Sequence, residues 1–172
     1  MKKILVTGAA GQIGSELVPA LRERHGNENV IAAGHRTPLS NDVQKFGPSI
    51  TLDVANHAEV MSAVGDLGVG TIYHMSSILS ALAESNRQTA HAVNINGAYN
   101  VLEAAVAHGV EQVIIPSSIA AFGPDTPQDS TPNETVQRPN TLYGISKVFG
   151  EHLGNYYQEK LGLDVRGLRL PG

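Results

Sequence analysis

The sequence predicts an α/β fold: a doubly wound parallel sheet with helices on both faces. Short apolar runs alternate with longer helical patterns along the whole chain, an order typical of parallel sheets with helical crossovers. The first apolar run leads into a glycine-rich turn and then a helix, as in dinucleotide-binding folds. A chain of 172 residues is long enough for one full core. We therefore expect a single Rossmann-like, dinucleotide-binding domain over residues 1–172.

Six apolar runs are predicted to be strands: residues 4–7, 30–33, 49–52, 71–75, 112–116 and 165–168. Several of them lack alternating polar and apolar residues, so both of their faces should be buried. Segments with helical periodicity lie between them, at residues 12–25, 57–67, 85–108 and 141–161. Gly109 and Gly162 follow the last two, where helices often end in a left-handed residue.

The composition excludes several classes of function. The net charge is −4 and lysine and arginine do not cluster, so we expect no nucleic-acid partner. The absence of cysteine rules out disulfides and thiolate chemistry, and the scattered histidines predict no metal site. No segment approaches the roughly 18 apolar residues of a membrane span. We expect a soluble, cytoplasmic protein that does not contact membranes.

The turn after the first strand has glycines at every third position. Gly8, Gly11 and Gly14 let the backbone approach a pyrophosphate, whose charge is met by amides at the N-terminus of the next helix. Gln12 and Ile13 begin that helix and are predicted to contribute such amides. The alternative is a tight turn needed for packing, but three glycines at this spacing exceed that need. The pattern predicts a nicotinamide dinucleotide site.

The end of the second strand bears on which dinucleotide binds. A carboxylate there would hold the adenosine ribose and favour NAD, whereas arginine accommodates the 2′-phosphate of NADP. The sequence has Gly34, His35 and Arg36 there, and Asp42 is too far along the chain to substitute. We expect NAD, with NADP left open and His35 and Arg36 as candidate contacts. Alternatively, Arg36 stacks beside the adenine or faces solvent.

Residues after the third and fourth strands complete the predicted cofactor site. Asp53 is placed to accept a hydrogen bond from the adenine amino group, with Val54 beside it. Alternatively, Asp53 caps the helix that follows. Met75, Ser76 and Ser77 close the fourth strand, where small residues would let the cofactor lie flat.

Tyr143 and Lys147 lie four residues apart, on one face of a predicted helix. Tyrosine alone is a poor base because its pKa is near ~10, but a neighbouring ammonium favours the phenolate. The pair therefore predicts a general base, and Ser117 and Ser118, about one loop upstream, are candidates for the same site. Alternatively, Ser117 and Ser118 form a simple turn after a strand. Asn94, a poor helix former, either supports the lysine through water or is a buried amide with satisfied hydrogen bonds.

A long segment, residues 123–139, interrupts the alternation of strands and helices. It holds four of the nine prolines, and loops of this length are often functional. Because it lies between Ser118 and Tyr143, it is placed to form a wall over a substrate. A solvated connector is the alternative.

Together these motifs resemble the extended short-chain dehydrogenase/reductase family, also called the NAD-dependent epimerase/dehydratase family. The marks are Thr7-Gly-x-x-Gly-x-x-Gly14, the serine before the active-site loop and Tyr143-x-x-x-Lys147. Residues 78–84, 116–124 and 131–172 are most similar to the short-chain type of L-threonine 3-dehydrogenases. The resemblance covers nearly the whole chain, and its last segment is the most specific to that subfamily.

The resemblance implies oxidation of the amino acid L-threonine to 2-amino-3-oxobutyrate. It implies Tyr143 as the base, Lys147 as a ribose-binding residue, Ser118 as partner of the reacting oxygen and Ser80 as a substrate contact. A nucleotide-sugar epimerase or dehydratase of the same family is the closest alternative, and a dinucleotide-binding regulator without chemistry is another.

Two features depart from the family pattern. Gly34 replaces an expected acidic residue, which leaves the choice between NAD and NADP open. Family members also continue beyond the equivalent of residue 172 into a smaller substrate-binding region. We therefore expect this chain to be the cofactor-binding portion of a larger enzyme, which turns over slowly or not at all alone.

Two predicted helices carry apolar stripes, and in the family these helices pair across a two-fold axis. We therefore expect a homodimer; the alternative is that both stripes pack onto their own sheet. The stripes are Ala90, Val93, Tyr99, Val101 and Leu102 on one helix, and Val148, Phe149, Leu153, Tyr156 and Tyr157 on the other.

Overall fold

The computed structural model describes residues 2–171, in which six parallel strands form one sheet in the order β3-β2-β1-β4-β5-β7. Helices cover both faces, so the predicted fold class is confirmed. The strands of this sheet are β1 (Lys3–Thr7), β2 (Val30–Gly34), β3 (Ser49–Thr51), β4 (Val69–His74), β5 (Gln112–Ile114) and β7 (Asp164–Arg166). The helices are α1 (Gln12–His25), α2 (Asn41–Lys45), α3 (His57–Asp66), α4 (Ser80–Ser85), α5 (Arg87–Ala90), α6 (Gly97–Ala107) and α7 (Leu142–Leu161).

A second, two-stranded sheet lies beyond the main one. It pairs β6 (Ser117–Ser118) with β8 (Arg169–Leu170) in parallel. The predicted strands over residues 112–116 and 165–168 therefore end earlier than expected, at Ile114 and Arg166, and each is followed by a short second strand. Gly167 lies between β7 and β8, and a Cβ there would lie 2.6 Å from the carbonyl oxygen of Ile115.

The apolar core has two layers, one on each face of the sheet. On one face, α1 and α2 pack onto Val6, Val30 and Ala32. On the other face, α3, α6 and α7 pack onto a larger cluster around Leu5 and Ile72. Alternate residues of β1 thus enter opposite layers, because side chains along a strand point to opposite faces.

The predicted helix over residues 85–108 is wrong as a single element. Asn86 ends α4. Its side chain also caps α5, because it accepts a hydrogen bond from the amide of Thr89. A π-helical turn, His91–Asn96, then leads into α6. Asparagine side chains compete with the helical backbone for hydrogen bonds, which is why a helix breaks readily at such a residue. The left-handed residues Gly109 and Gly162 lie where the sequence predicts them.

The apolar stripes of the two long helices are partly accounted for by packing onto their own sheet. Ala90, Val101, Leu102 and Tyr157 are buried, whereas Tyr99 and Tyr156 remain 45% and 54% exposed. No helix among residues 2–171 has both the length and the apolar character needed to cross a membrane.

Arg22 links α1 to the first residue of β2 and to two neighbouring segments. Its guanidinium is buried and donates to the carbonyl oxygens of Val30, Val43 and Pro48. Gly47 leaves room for it, since a Cβ there would lie 2.6 Å from the guanidinium carbon. The cation is therefore held by backbone dipoles of three separate segments.

Replacing Arg22 by methionine should lower the free energy of unfolding by roughly 2–4 kcal/mol, because buried carbonyls would lose their donors. Chemical denaturation followed by circular dichroism measures the change. Arg24→Met, at an exposed position of the same helix, is the matched control and should stay within about 0.5 kcal/mol of the original protein. An equal decrease in the free energy of unfolding in both variants would show that the contacts of Arg22 with the carbonyls do not stabilise the fold.

Candidate functional site

A cleft of about 480 Å³ opens at the carboxyl ends of β1 to β4. In parallel sheets, ligands bind at this edge, where the strand order reverses, and here the reversal falls between β1 and β4. Nine of the residues predicted to bind cofactor line this cleft: Gly8, Gly11, His35, Arg36, Asp53, Val54, Met75, Ser76 and Ser77.

The floor of the cleft depends on two close backbone approaches. Gly8 has φ of +65°, and a Cβ there would lie 2.6 Å from the backbone nitrogen of Ser76. At Gly14, a Cβ would lie 2.3 Å from the carbonyl oxygen of Gly8. Side chains at either position would push the turn away from β4 or from α1. Gly14 therefore serves close packing, and Gly8 serves both packing and the shape of the cleft.

The N-terminus of α1 faces the cleft without a side-chain cap. Gly11 precedes the helix, none of the described side chains caps it, and its first turn holds no acidic residue. The amides of Gln12 and Ile13 therefore lack intrahelical acceptors. Such amides bind phosphate groups. Together with the cleft volume and the glycine floor, this end of α1 fits the pyrophosphate of a dinucleotide.

Asp53 lies at the far end of the cleft. Its Oδ1 accepts from the amide of Ala55 at 3.0 Å, and its Oδ2 lies 3.9 Å from Nε2 of His35. The alternative that Asp53 caps the next helix is wrong, because Asn56 takes that place and accepts from the amides of Ala58 and Glu59. Asp53 thus remains within the cleft wall.

Tyr143 lies in the first turn of α7, whose start is fixed by several contacts. The hydroxyl of Thr141 accepts from the amide of Gly144 at 3.0 Å, and Glu84 accepts from the amide of Leu142 at 2.7 Å. A Cβ at Gly144 would lie 2.2 Å from the carbonyl oxygen of Ala120. The helix start is therefore pressed against the segment that follows Ser118.

The structure brings the three predicted catalytic side chains together. The hydroxyl of Ser118 lies close enough to the phenol of Tyr143 to favour its ionised form. Nζ of Lys147 lies 5.2 Å from the centre of the Tyr143 ring and donates to the carbonyl oxygen of Pro116 at 3.0 Å. The tyrosine is thus flanked by a hydroxyl on one side and an amine on the other.

The expectation that Lys147 lowers the pKa of Tyr143 is not met. Burial raises the pKa of the phenol above its ordinary value, and the nearby hydroxyl of Ser118 opposes this without overcoming it. Burial also lowers the pKa of Lys147 to about 8, which weakens its charge as a partner. A further positive charge is needed to make this phenol a base near neutral pH.

A small cavity of about 30 Å³ lies beside Lys147. Ser76 and Ser77 line both this cavity and the cleft. His74 forms part of its wall. Burial, with a smaller effect from the charge of Lys147, lowers the pKa of His74 to about 3, so this imidazole is neutral. Its Nδ1 is 2.9 Å from the hydroxyl oxygen of Thr7. His74 ends β4 and immediately precedes Met75, the first of the predicted cofactor contacts after that strand.

Asn94 is a buried amide with satisfied hydrogen bonds, the second of the two alternatives for it. It accepts from the amide of Ile78 at 2.7 Å and donates to the carbonyl oxygen of Ile78 at 3.0 Å. It also donates to Ser146 at 3.3 Å. Asn94 therefore connects the segment after β4 to α7. It lies in a π-helical turn, a feature frequent at functional sites.

The two adjacent serines have different surroundings. Ser118 faces Tyr143, whereas Ser117 is buried and donates to Glu151. Arg169 contacts both oxygens of Glu151 at 2.8 Å, and Gln137 donates to it at 2.7 Å. The carboxylate of Glu151 therefore joins β6, β8, α7 and the segment of residues 123–139. The alternative of a simple turn after a strand is wrong, because Ser117 and Ser118 themselves form β6 and pair with β8.

Ser80 begins α4 and is exposed. It does not line the 480 Å³ cleft, although α4 packs against α7, which carries Tyr143. Within residues 2–171, no three His, Asp or Glu side chains gather as a metal site would require.

Comparison with known proteins gives consistent matches. The model of the NAD dependent epimerase/dehydratase family matches residues 4–171. An uncharacterised epimerase/dehydratase of Staphylococcus saprophyticus is 46% identical over the whole chain, which spans 53% of that protein.

Solved structures agree with the sequence matches. L-threonine dehydrogenase from Clostridium difficile is 48% identical with a TM-score of 0.95, covering 100% of this chain and 54% of its own. A GalE-like L-threonine dehydrogenase from Cupriavidus necator, in its holo form, is 44% identical with a TM-score of 0.92, covering 99% and 54%. The chain thus spans about half the length of the relatives it matches.

Glu151 should make stability depend on pH in the acid range. Burial alone would raise the pKa of Glu151, but hydrogen bonds from Arg169, Ser117 and Gln137 and the charge of Arg169 outweigh it and lower the pKa to about 2. Since the folded value is below the ordinary 4.5, the carboxylate stabilises the fold fully above that pH and loses this effect towards pH 2. Glu151→Gln should therefore cost about 2 kcal/mol at neutral pH, and less as the pH falls below about 4.5.

Urea unfolding of both proteins at several pH values measures this difference. Glu159→Gln, at an exposed position of the same helix, is the matched control and should show little change. A Glu151→Gln penalty that stays constant between neutral and acid pH would contradict the assignment.

Proposed function

The chain belongs to the NAD-dependent epimerase/dehydratase family, and from that premise we propose that it is the dinucleotide-binding part of an L-threonine 3-dehydrogenase. The reaction is oxidation of the secondary alcohol of L-threonine to 2-amino-3-oxobutyrate. The observation that supports it most is that Ser118 and Lys147 lie near Tyr143, and that a small cavity beside Lys147 shares Ser76 and Ser77 with a cleft that fits a dinucleotide.

The cofactor contacts follow from the cleft. The glycine floor admits the pyrophosphate, and the uncapped amides of Gln12 and Ile13 hold its charge. Asp53 accepts from the adenine amino group. When bound, a nicotinamide dinucleotide accepts hydride from the substrate carbon, and its oxidised ring supplies a positive charge near the phenol.

Each catalytic side chain has a separate role. Tyr143, as phenolate, takes the proton from the substrate hydroxyl while the carbonyl forms at the same carbon. Ser118 positions the reacting oxygen by its hydrogen bond. Lys147 binds the cofactor ribose and, below its pKa of about 8, adds a positive charge close to the phenol.

We favour L-threonine over a sugar nucleotide as the substrate because of what similar proteins are. The two solved structures with 44% and 48% identity are both L-threonine dehydrogenases. Segment 78–84, which contains Ser80, lies next to α7 and is where the amino-acid group would be held. The loop of residues 123–139, anchored through Gln137 to Glu151, forms the facing wall.

Tyr143→Phe should reduce turnover about 10²–10⁴-fold, because it removes the proton acceptor, while cofactor affinity changes little. The assay follows reduced nicotinamide by absorbance as L-threonine is added to the protein with cofactor. Fluorescence titration measures cofactor binding separately.

Tyr156→Phe, on the same helix but away from the cleft, is the matched control and should keep full turnover. A UDP-sugar isomerised without release of reduced cofactor would replace this proposal by an epimerase. Equal loss of turnover and cofactor binding in Tyr143→Phe would show that the residue is structural. Dinucleotide binding with neither reaction would indicate a regulator if a fusion of this chain to the remaining region of a relative were inactive as well.

The exposed face of α6 and α7 is proposed to pair with a second copy of the chain. Tyr156 packs edge-on against Tyr157, with ring centres 5.7 Å apart, and Tyr157 is hydrogen-bonded to Glu103. Tyr99 is exposed on the neighbouring helix. A two-fold axis here would bring the same aromatic patch together from both copies.

The double substitution Tyr99→Glu and Tyr156→Glu should therefore shift a dimer to monomer, since like charges would meet across the axis. Sedimentation velocity measures the oligomeric state. Val136→Glu, at another exposed apolar position, is the control and should leave the dimer intact. A monomeric original protein would contradict the pairing.

A further inference from the structure

We propose that this chain binds NADP more tightly than NAD, through a 2′-phosphate site formed by His35, Arg36 and Thr37. The inference rests on the proposed dinucleotide site and specifies which dinucleotide it takes. It follows from the geometry at the end of β2.

The position that would select NAD carries no carboxylate. β2 ends at Gly34, whose Cβ would lie 3.1 Å from Cγ of Leu39 and 3.2 Å from Cδ2. A side chain there would require Leu39 to shift by a few tenths of an ångström. At the end of β2, this chain therefore has no acidic group to bind the ribose hydroxyls.

The loop after Gly34 supplies hydrogen-bond donors and a positive charge that could bind a phosphate. His35, Arg36 and Thr37 follow without interruption, line the dinucleotide cleft and are exposed. Within residues 2–171, the guanidinium of Arg36 makes no ion pair or hydrogen bond, so its donors are available. Arginine binds phosphate through paired charge-assisted hydrogen bonds, and the Thr37 hydroxyl is an additional donor.

There is also space for the phosphate. A second cavity of about 220 Å³ adjoins the cleft and shares Gly34, His35 and Thr37 with it. No acidic side chain lines this cavity. Arg36 lines the cleft and not this cavity. A 2′-phosphate bound by its guanidinium would therefore lie where the cleft and the cavity join, next to His35 and Thr37.

The carboxylate of Asp53 lies near His35 of this loop. It is the other group that could bind the adenosine ribose. Its Oδ1 is engaged by the amide of Ala55, and its Oδ2 faces His35 across 3.9 Å. His35 thus lies between this carboxylate and the phosphate site. If Asp53 instead held the ribose hydroxyls, the protein would prefer NAD.

Isothermal titration calorimetry tests the proposal without any turnover. The probes are NADP, NAD and two fragments that lack nicotinamide, 2′,5′-ADP and 5′-AMP. NADP should bind about tenfold or more tightly than NAD, and 2′,5′-ADP should exceed 5′-AMP by a similar factor. Both preferences should weaken as salt rises.

Arg36→Ala should remove most of the preference while leaving NAD affinity nearly unchanged. Arg36→Lys, which keeps the charge, should retain part of it. Arg24→Ala, which removes a positive charge from the exposed face of α1, should retain all of it. Thermal unfolding confirms that each variant is folded.

Equal or tighter binding of NAD would overturn the inference while leaving the proposed function standing. So would an unchanged preference in Arg36→Ala. Binding of neither dinucleotide would overturn the proposed function and this inference with it.

Discussion

The parallel arrangement of the sheet is the constraint on which the rest of the site depends. Each strand must return across a face before the next begins, so every carboxyl end of the sheet lies at one edge. Because β1 pairs with both β2 and β4, the crossovers diverge there and leave a cleft between them. The glycines matter because they let the first crossover turn without filling that cleft. Residues far apart in sequence, from Gly8 to Ser77, therefore meet around one volume.

Much of this arrangement could be predicted from local patterns. The alternation of strand and helix fixes the fold class, the glycine spacing marks the first turn, and the four-residue interval places Tyr143 and Lys147 on one helical face. The placement of Ser118 beside Tyr143 follows from a loop leading into that helix. The parts predicted well are those in which neighbouring residues determine the conformation or in which the topology leaves little choice.

The features that the sequence did not predict depend on contacts between distant segments. Glu151 and Arg169 form a bidentate pair, yet nothing in either neighbourhood distinguishes them from solvated charges. The π-helical turn is a second case, because Asn94 within it hydrogen-bonds the backbone of Ile78, a residue 16 positions earlier. The pKa of Tyr143 is another case. Spacing places an amine near the phenol, but the depth of burial decides the direction of the shift.

The outer strand β7 has a consequence for colloidal behaviour. In the described part of the chain, β7 pairs with β5 on one side and leaves its other edge without a neighbouring strand. Unpaired peptide groups at such an edge can template fibril growth. Asp164 and Arg166 lie on this strand and form an ion pair at 2.8 Å. Their charges would oppose stacking of a further molecule, so neutralising both would be expected to promote aggregation before it altered the fold.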